Sequence, residues 1–188
     1  PALDLVLGRD ELNPEPATYE APTAHWAFRF MTWAIVPALL GLTGASAWAV
    51  GAYSYAPLEL AGIVVSCGVA AGGLGITVAH ELIHKTGAFE RNLGQALLLN
   101  SCYMHFYIEH LVGHHGRVAT PEDPASARLG ESFYAFYPRT VIGSFKSAWG
   151  IEVQRLQRLG HDSWSGHNRM IWYVVAPFGV AVALGLAF

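Results

Sequence analysis

The chain has 188 residues, a formal net charge of −3, 53% hydrophobic residues and only 13% charged residues. This composition, with a mean hydropathy of +0.32, is too apolar for an ordinary soluble domain and predicts a membrane protein. It excludes a nucleic-acid-binding surface, because no run of basic residues with interleaved aromatic residues occurs.

Three apolar stretches predict helices that cross the membrane. Residues 1–24, which precede them, are rich in proline and acidic residues and predict a surface connection lying against the membrane. Residues 26–52 and 57–79 are each long enough to cross about 30 Å of hydrocarbon at about 1.5 Å per residue. Residues 170–188 form the third predicted span.

Residues 92–115 also have a helical pattern, but we do not expect them to cross the membrane. His80 and His84 end the second span, and a crossing would place His114 and His115 about 30 Å away from them. One shared metal site could then not form. The segment is therefore predicted to lie along the interface or to re-enter the membrane partway.

Residues 138–159 begin with proline and place apolar residues among basic ones, which predicts another interfacial helix. Seven of the eleven Lys and Arg residues lie between His115 and Met170, so the positive-inside rule places this loop in the cytoplasm. We therefore predict one partial membrane domain over residues 1–188. Its fold class is all-α, a multi-pass helical bundle with interfacial helices and a cytoplasmic-side histidine cluster.

Five histidines in two short runs predict a metal site. His80 and His84 lie in AHELIHK, and His110, His114 and His115 lie in EHLVGHH. Helical residues four apart share a face, so the first pair and the pair His110 and His114 can each chelate one ion, with His115 turned toward a second. So many imidazoles favour two irons, because neutral imidazole binds Fe(II) and leaves positions open for dioxygen.

Two other interpretations of the histidines are open. His80 and His84 match the H-E-x-x-H pattern of zinc metalloproteases, in which Glu81 would activate water. One zinc ion, however, does not need five imidazoles. The histidines could also be structural residues with satisfied hydrogen bonds.

Three carboxylates near the histidines predict support for the ligands. Glu81 and Glu109 could accept the second ring N–H of a ligand histidine, or form plain salt bridges to neighbouring basic residues. Asp123, in the run VATPEDPASAR, is a further candidate for the same role. Its alternative is an Asp-Pro turn.

The runs AHELIHK and EHLVGHHGRVATPEDPASARLGESFYAF closely resemble the integral-membrane alkane 1-monooxygenases, a family of non-haem di-iron alkane hydroxylases. The opening LDLVLGRDELNP and the stretch SAWGIEVQRLQRLG extend the resemblance over nearly the whole chain. The resemblance implies a centre of two iron ions, with the ligands His80, His84, His110, His114 and His115.

The same resemblance implies an activity, partners and a location. The activity is terminal hydroxylation of medium- or long-chain n-alkanes to 1-alkanols with O2. The implied electron donor is rubredoxin, supplied by an NADH-dependent rubredoxin reductase. The implied location is the bacterial inner membrane, with the metal site facing the cytoplasm.

The chain departs from the family because the later histidine runs, N-Y-x-E-H-Y-G and Q-R-H-x-x-H-H, do not occur in it. We expect a fragment that is inactive alone and whose full-length parent is the enzyme. The alternative is a membrane fatty-acyl desaturase or a related di-iron hydroxylase acting on xylene or fatty acids. Spacing favours alkane hydroxylation, because desaturase second runs usually read H-x-x-H-H, whereas three residues separate His110 from His114.

Overall fold

The computed structural model describes residues 26–188. All regular structure in this part of the chain is helical, which confirms the predicted all-α class. The prediction for residues 1–24 and the resemblance of LDLVLGRDELNP lie outside the described residues. In chain order the helices are α1 (Trp26–Ala52), α2 (Pro57–Ile83), α3 (Ala88–Asn100), α4 (106–117), α5 (Phe133–Arg158) and α6 (Arg169–Ala187).

The helices α1, α2 and α6 are long and apolar enough to cross a membrane. Their bounds are close to the predicted spans, and α2 continues four residues beyond the predicted end at residue 79, up to Ile83. α2 is not uniform, because a π-helical turn, Ala70–Gly75, separates the α-helical segments Pro57–Val69 and Ile76–Ile83. A π-helical turn contains one more residue per turn than an α-helix and therefore rotates the side chains that follow it.

The segment 92–115, predicted as one helix, forms parts of two helices. The break follows Asn100, because Cys102 has a left-handed φ of 54° that an α-helix cannot continue through. The 13 residues of α3 span about 20 Å, which is too short to cross about 30 Å of hydrocarbon. α3 packs against the end of α2, and α4 then brings His110 next to His84.

The main core lies between α1, α2 and α3. Gly94 allows α3 to approach α2 closely, since a Cβ atom there would lie 2.7 Å from Ile83 Cγ2 and 3.0 Å from the Ala79 carbonyl oxygen. The core therefore holds the end of α2 that carries the first two histidines. Its buried apolar side chains are Val36, Leu39, Val78, Ala79, Leu82, Ile83, Leu97 and Leu98.

α5 begins earlier than predicted. Ser132 caps it by accepting the N–H of Ala135 at 3.3 Å, so Pro138 lies inside the helix and not at its start. At the other end of α5, the buried carboxylate of Glu152 binds two guanidinium groups, those of Arg155 and Arg169. The ion pair with Arg169 ties α5 to the first residue of α6.

Candidate metal centre

The first two histidines lie where α2 ends. His80 is in the last α-helical turn, and His84 directly follows the last residue, Ile83. Their ring centroids are 4.8 Å apart, as the spacing of four residues predicts for one helix face. Both side chains are exposed, so the ring nitrogens can reach ligands or residues beyond the helix.

The second cluster lies in a π-helical turn, Glu109–His114, inside α4. In such a turn the backbone hydrogen bonds join residues five apart, and His110 Nε2 lies 3.1 Å from His115 Nε2. The predicted chelation of one ion by His110 and His114 stays a prediction, and the structure adds His115 as a second neighbour of His110. The rings of His110 and His114 lie parallel at a centroid distance of 5.4 Å, and no hydrogen bond between them occurs in the described structure.

The two clusters meet at His110. Its Nε2 atom lies 3.0 Å from His84 Nε2 and 3.1 Å from His115 Nε2. One ring nitrogen from each of His80, His84 and His110 fits within a group whose members are at most 4.8 Å apart. Two nitrogens at about 2.1 Å from one ion, and at right angles to each other, are about 3.0 Å apart. These imidazoles therefore fit a shared metal ion.

His114 is oriented by a carboxylate. Its Nδ1 atom lies 2.8 Å from Asp123 Oδ2, and Asp123 is 1% exposed. The carboxylate also accepts the hydroxyl of Ser126 at 2.6 Å and the N–H of Ala125 at 2.9 Å. Burial raises the pKa of Asp123, but these hydrogen bonds outweigh it and lower the pKa overall. An ionised Asp123 holds the proton of His114 on Nδ1 and leaves Nε2 free for a ligand.

The two glutamates form the salt bridges that the sequence left open as an alternative. Glu81 Oε1 lies 2.5 Å from the ammonium of Lys85. Glu109 Oε1 lies 3.2 Å from Arg117 Nη2, while its buried Oε2 atom has no hydrogen-bond partner in the described structure. Among the described residues, neither carboxylate is hydrogen-bonded to a histidine nitrogen, so their support of the ligands stays a prediction.

The surroundings of His84 and His110 favour neutral imidazoles. Burial, followed by the neighbouring imidazoles, lowers the pKa of His110 to about 4. Burial and then His80 and His115 also lower the pKa of His84, against a smaller opposing effect of Glu81. At neutral pH these rings are therefore uncharged and keep a lone pair for a metal.

An aromatic stack that the sequence analysis did not identify connects the histidines to a cavity. The ring of Phe106 stacks on His110 at 4.6 Å and on Tyr103 at 5.5 Å. The spacing of four residues between Phe106 and His110 was the available signal. Tyr103 lines a cavity of about 550 Å³ whose wall also includes Gly68 and Gly72 of α2 and Tyr137 and Val141 of α5.

Three other histidines of the described part of the chain lie outside the cluster. His105 is buried, its pKa is lowered to about 4 by burial, and its ring packs against Tyr103 and Phe145. His161 and His167 stack on each other at 4.1 Å in the loop between α5 and α6. These three side chains are therefore useful for controls.

Similarity to known proteins extends over the whole chain. A fatty acid desaturase family model matches residues 56–188. Alkane 1-monooxygenase 2 of Pseudomonas aeruginosa is 39% identical over 191 residues, which cover 100% of this chain and 50% of that protein. Alkane 1-monooxygenase of Pseudomonas putida is 39% identical over 188 residues, or 100% of this chain and 46% of that protein.

A more distant relative has a different named substrate. The xylene/toluene monooxygenase hydroxylase component XylM of Pseudomonas putida is 31% identical over 118 residues, which cover 63% of this chain and 32% of that protein. The chain spans about half the length of the alkane 1-monooxygenases that it matches.

Proposed function

Because this chain belongs to the fatty acid desaturase family and is a homologue of alkane 1-monooxygenases, we propose that the natural-length protein carrying it hydroxylates alkanes. The reaction is terminal hydroxylation of medium- or long-chain n-alkanes to 1-alkanols with O2. The observation that carries the proposal is the convergence of His84, His110 and His115 through their Nε2 atoms, at 3.0 and 3.1 Å.

We assign two iron ions to the centre, held in part by His80, His84, His110, His114 and His115. When bound, the irons supply activation of dioxygen. Burial keeps the imidazole of His110 neutral, and Asp123 orients His114 so that Nε2 faces away from the carboxylate. Phe106 covers one face of the His110 ring and keeps water from that side.

The cavity of about 550 Å³ beside Tyr103 is the proposed place for the hydrocarbon chain of the substrate. It lies between α1, α2, the turn after α3 and α5, and most of its wall is apolar. An apolar cavity takes up a hydrocarbon without leaving buried polar groups unpaired. The stack of Tyr103, Phe106 and His110 connects this cavity to the metal centre, and the bilayer would supply the substrate.

The electron donor in this proposal is rubredoxin, reduced by an NADH-dependent rubredoxin reductase. The location is the bacterial inner membrane, as a multi-pass protein whose metal centre faces the cytoplasm. The basic loop between His115 and Met170 supports this orientation through the positive-inside rule. The placement of residues 1–188 in one membrane domain belongs to the same proposal.

Two alternative functions, a zinc protease and a membrane desaturase, would use these residues in different ways. A zinc protease would need Glu81 beside the metal-bound water, whereas Glu81 forms a salt bridge with Lys85 at 2.5 Å. A membrane desaturase would use the same histidines, so only the product separates it from the hydroxylase. The xylene-type relative similarly differs in the substrate.

The test is expression of the natural-length protein and measurement of iron per chain together with rubredoxin-dependent conversion of octane to 1-octanol. His110→Ala should lose both iron and alcohol, because it removes the imidazole that contacts both neighbours. His161→Ala is the matched control, a histidine outside the cluster, and should retain both. Bound zinc in place of iron, or a double bond in a fatty acyl chain in place of the alcohol, would contradict the proposal.

A further inference from the structure

The side chain of Arg117 reaches both ends of the π-helical turn that carries the second cluster. Its Nη2 atom lies 3.2 Å from Glu109 Oε1, at the first residue of the turn. Its Nε atom donates to the carbonyl oxygen of Gly113 at 3.1 Å, near the last residue of the turn. One guanidinium therefore connects the beginning of the turn to its end.

The same guanidinium also anchors the turn to α5. Nη2 donates to the hydroxyl of Ser147 at 2.5 Å, and Ser147 lies thirty residues further along the chain. Glu109, with a side chain only 3% exposed, is enclosed in this contact. The turn is thus fixed against a neighbouring helix through its polar groups.

A side chain at position 113 would displace the ion pair between Glu109 and Arg117. A Cβ atom there would collide with the carboxylate of Glu109 and lie 2.6 Å from Arg117 Nη2. Glycine at this position is therefore needed for the ion pair to lie against the turn. Glu109, Gly113, Arg117 and Ser147 form one structural unit, called here the Arg117 clamp.

The register of the turn decides which histidines meet. An α-helical register brings residues three and four apart together, whereas a π-helical register also brings residues five apart together. In the observed register His110 meets His115 at 3.1 Å, and His114 binds Asp123 at 2.8 Å. A π-helical turn is rare and needs support from its surroundings.

We infer that Arg117 is a positioning residue, which holds the π-helical register of Glu109–His114 and thereby selects His115 as the partner of His110 in the metal centre. This inference rests on the proposed metal centre. Arg117 touches no proposed ligand through its side chain among the described hydrogen bonds, and acts through the Arg117 clamp. Because lysine has no planar fork, it can keep the charge at this position but cannot make all three contacts.

The test uses the natural-length protein in lipid nanodiscs, freed of metal and titrated with Co(II), whose visible spectrum reports the ligand geometry. For Arg117→Lys we expect about ten-fold weaker Co(II) binding, a changed visible spectrum and faster amide hydrogen exchange at residues 110–115. Ser147→Ala removes one contact of the clamp and should shift the same readouts less. If Arg117→Lys does not fold, Ser147→Ala tests the inference in its place.

The matched control is Arg155→Lys. Arg155 lies on α5, outside the metal centre, and like Arg117 it binds a buried glutamate. This variant should leave the Co(II) spectrum and affinity unchanged. Gly113→Ala should reproduce the effects of Arg117→Lys, and the double variant should add little, because both changes break the same clamp.

Three results would decide against the inference. Wild-type Co(II) affinity and spectrum in Arg117→Lys and in Ser147→Ala would overturn the positioning role alone. Equal changes of Co(II) affinity and spectrum in Arg155→Lys would show that Arg117 only stabilises the fold and does not position the ligands. If the unaltered protein bound no Co(II), the proposed metal centre itself would fail, and the positioning role with it.

Discussion

The two histidine clusters are supported in opposite ways. The end of α2, which carries His80 and His84, rests on the fully buried side chains of Ala79 and Leu82. The second cluster rests on polar groups, since its turn is held by buried Asp123 and by Glu109 paired with Arg117. Apolar packing follows from the periodicity of one helix, whereas each polar contact depends on a partner elsewhere in the chain.

The largest expected effect is a loss of unfolding free energy when the apolar support of the first cluster is reduced. Leu82→Ala should lower the free energy of unfolding by about 2–5 kcal/mol, because it leaves a cavity beneath the first cluster. Val112→Ala in the second cluster should change it by less than about 0.5 kcal/mol, because Val112 is 57% exposed. Denaturant unfolding of both variants in the same detergent measures the difference, and similar losses would refute the contrast.

Acid should selectively destabilise the contact between α5 and α6, which depends on the ion pairs of Glu152. Burial would raise the pKa of Glu152, but hydrogen bonds from Arg155 and Arg169 lower it to about 2, against 4.5 ordinarily. A carboxylate whose pKa is lowered by folding stabilises the fold above its unfolded pKa. The stabilisation by Glu152 is therefore complete above about pH 4.5 and is lost as the pH falls toward 2, by at most about 3–4 kcal/mol.

Glu152→Gln isolates this contribution from those of other carboxylates. The difference in unfolding free energy between the unaltered protein and Glu152→Gln should be largest near pH 6 and should shrink below pH 4.5. Hydrogen exchange should at the same time show that α5 and α6 open before the apolar core of α2 and α3. A difference that stays constant with pH would contradict the assigned role of the ion pair.

The smallest expected effect concerns the orientation of His114. Asp123→Asn keeps the size of the side chain but removes the charge that holds the Nδ1 proton of His114, so metal affinity should fall about ten-fold. Glu122→Gln is the matched control, since Glu122 is exposed next to Asp123. Metal titration measures both variants. Equal affinities would show that the hydrogen bond at 2.8 Å contributes nothing to metal binding.

Sequence patterns predicted the helices and helix faces that depend on residues close together in the sequence. The apolar lengths predicted α1, α2 and α6 to within a few residues, and the spacing of His80 and His84 predicted their shared face. The predicted helix bounds were wrong where a left-handed residue or a helix cap changed them. The left-handed Cys102 divides the segment 92–115 into two helices, and Ser132 starts α5 ahead of Pro138.

The sequence by itself determined the apolar helices, the candidate histidine donors and the membrane class, because hydropathy and ligand chemistry are properties of individual residues and short runs. Only the tertiary structure decided which nitrogens meet. His110 Nε2 lies beside the Nε2 atoms of His84 and His115, and it reaches His115 because α4 contains a π-helical turn. That turn packs against Ser147 and other residues distant in the sequence, so no local spacing could predict its register.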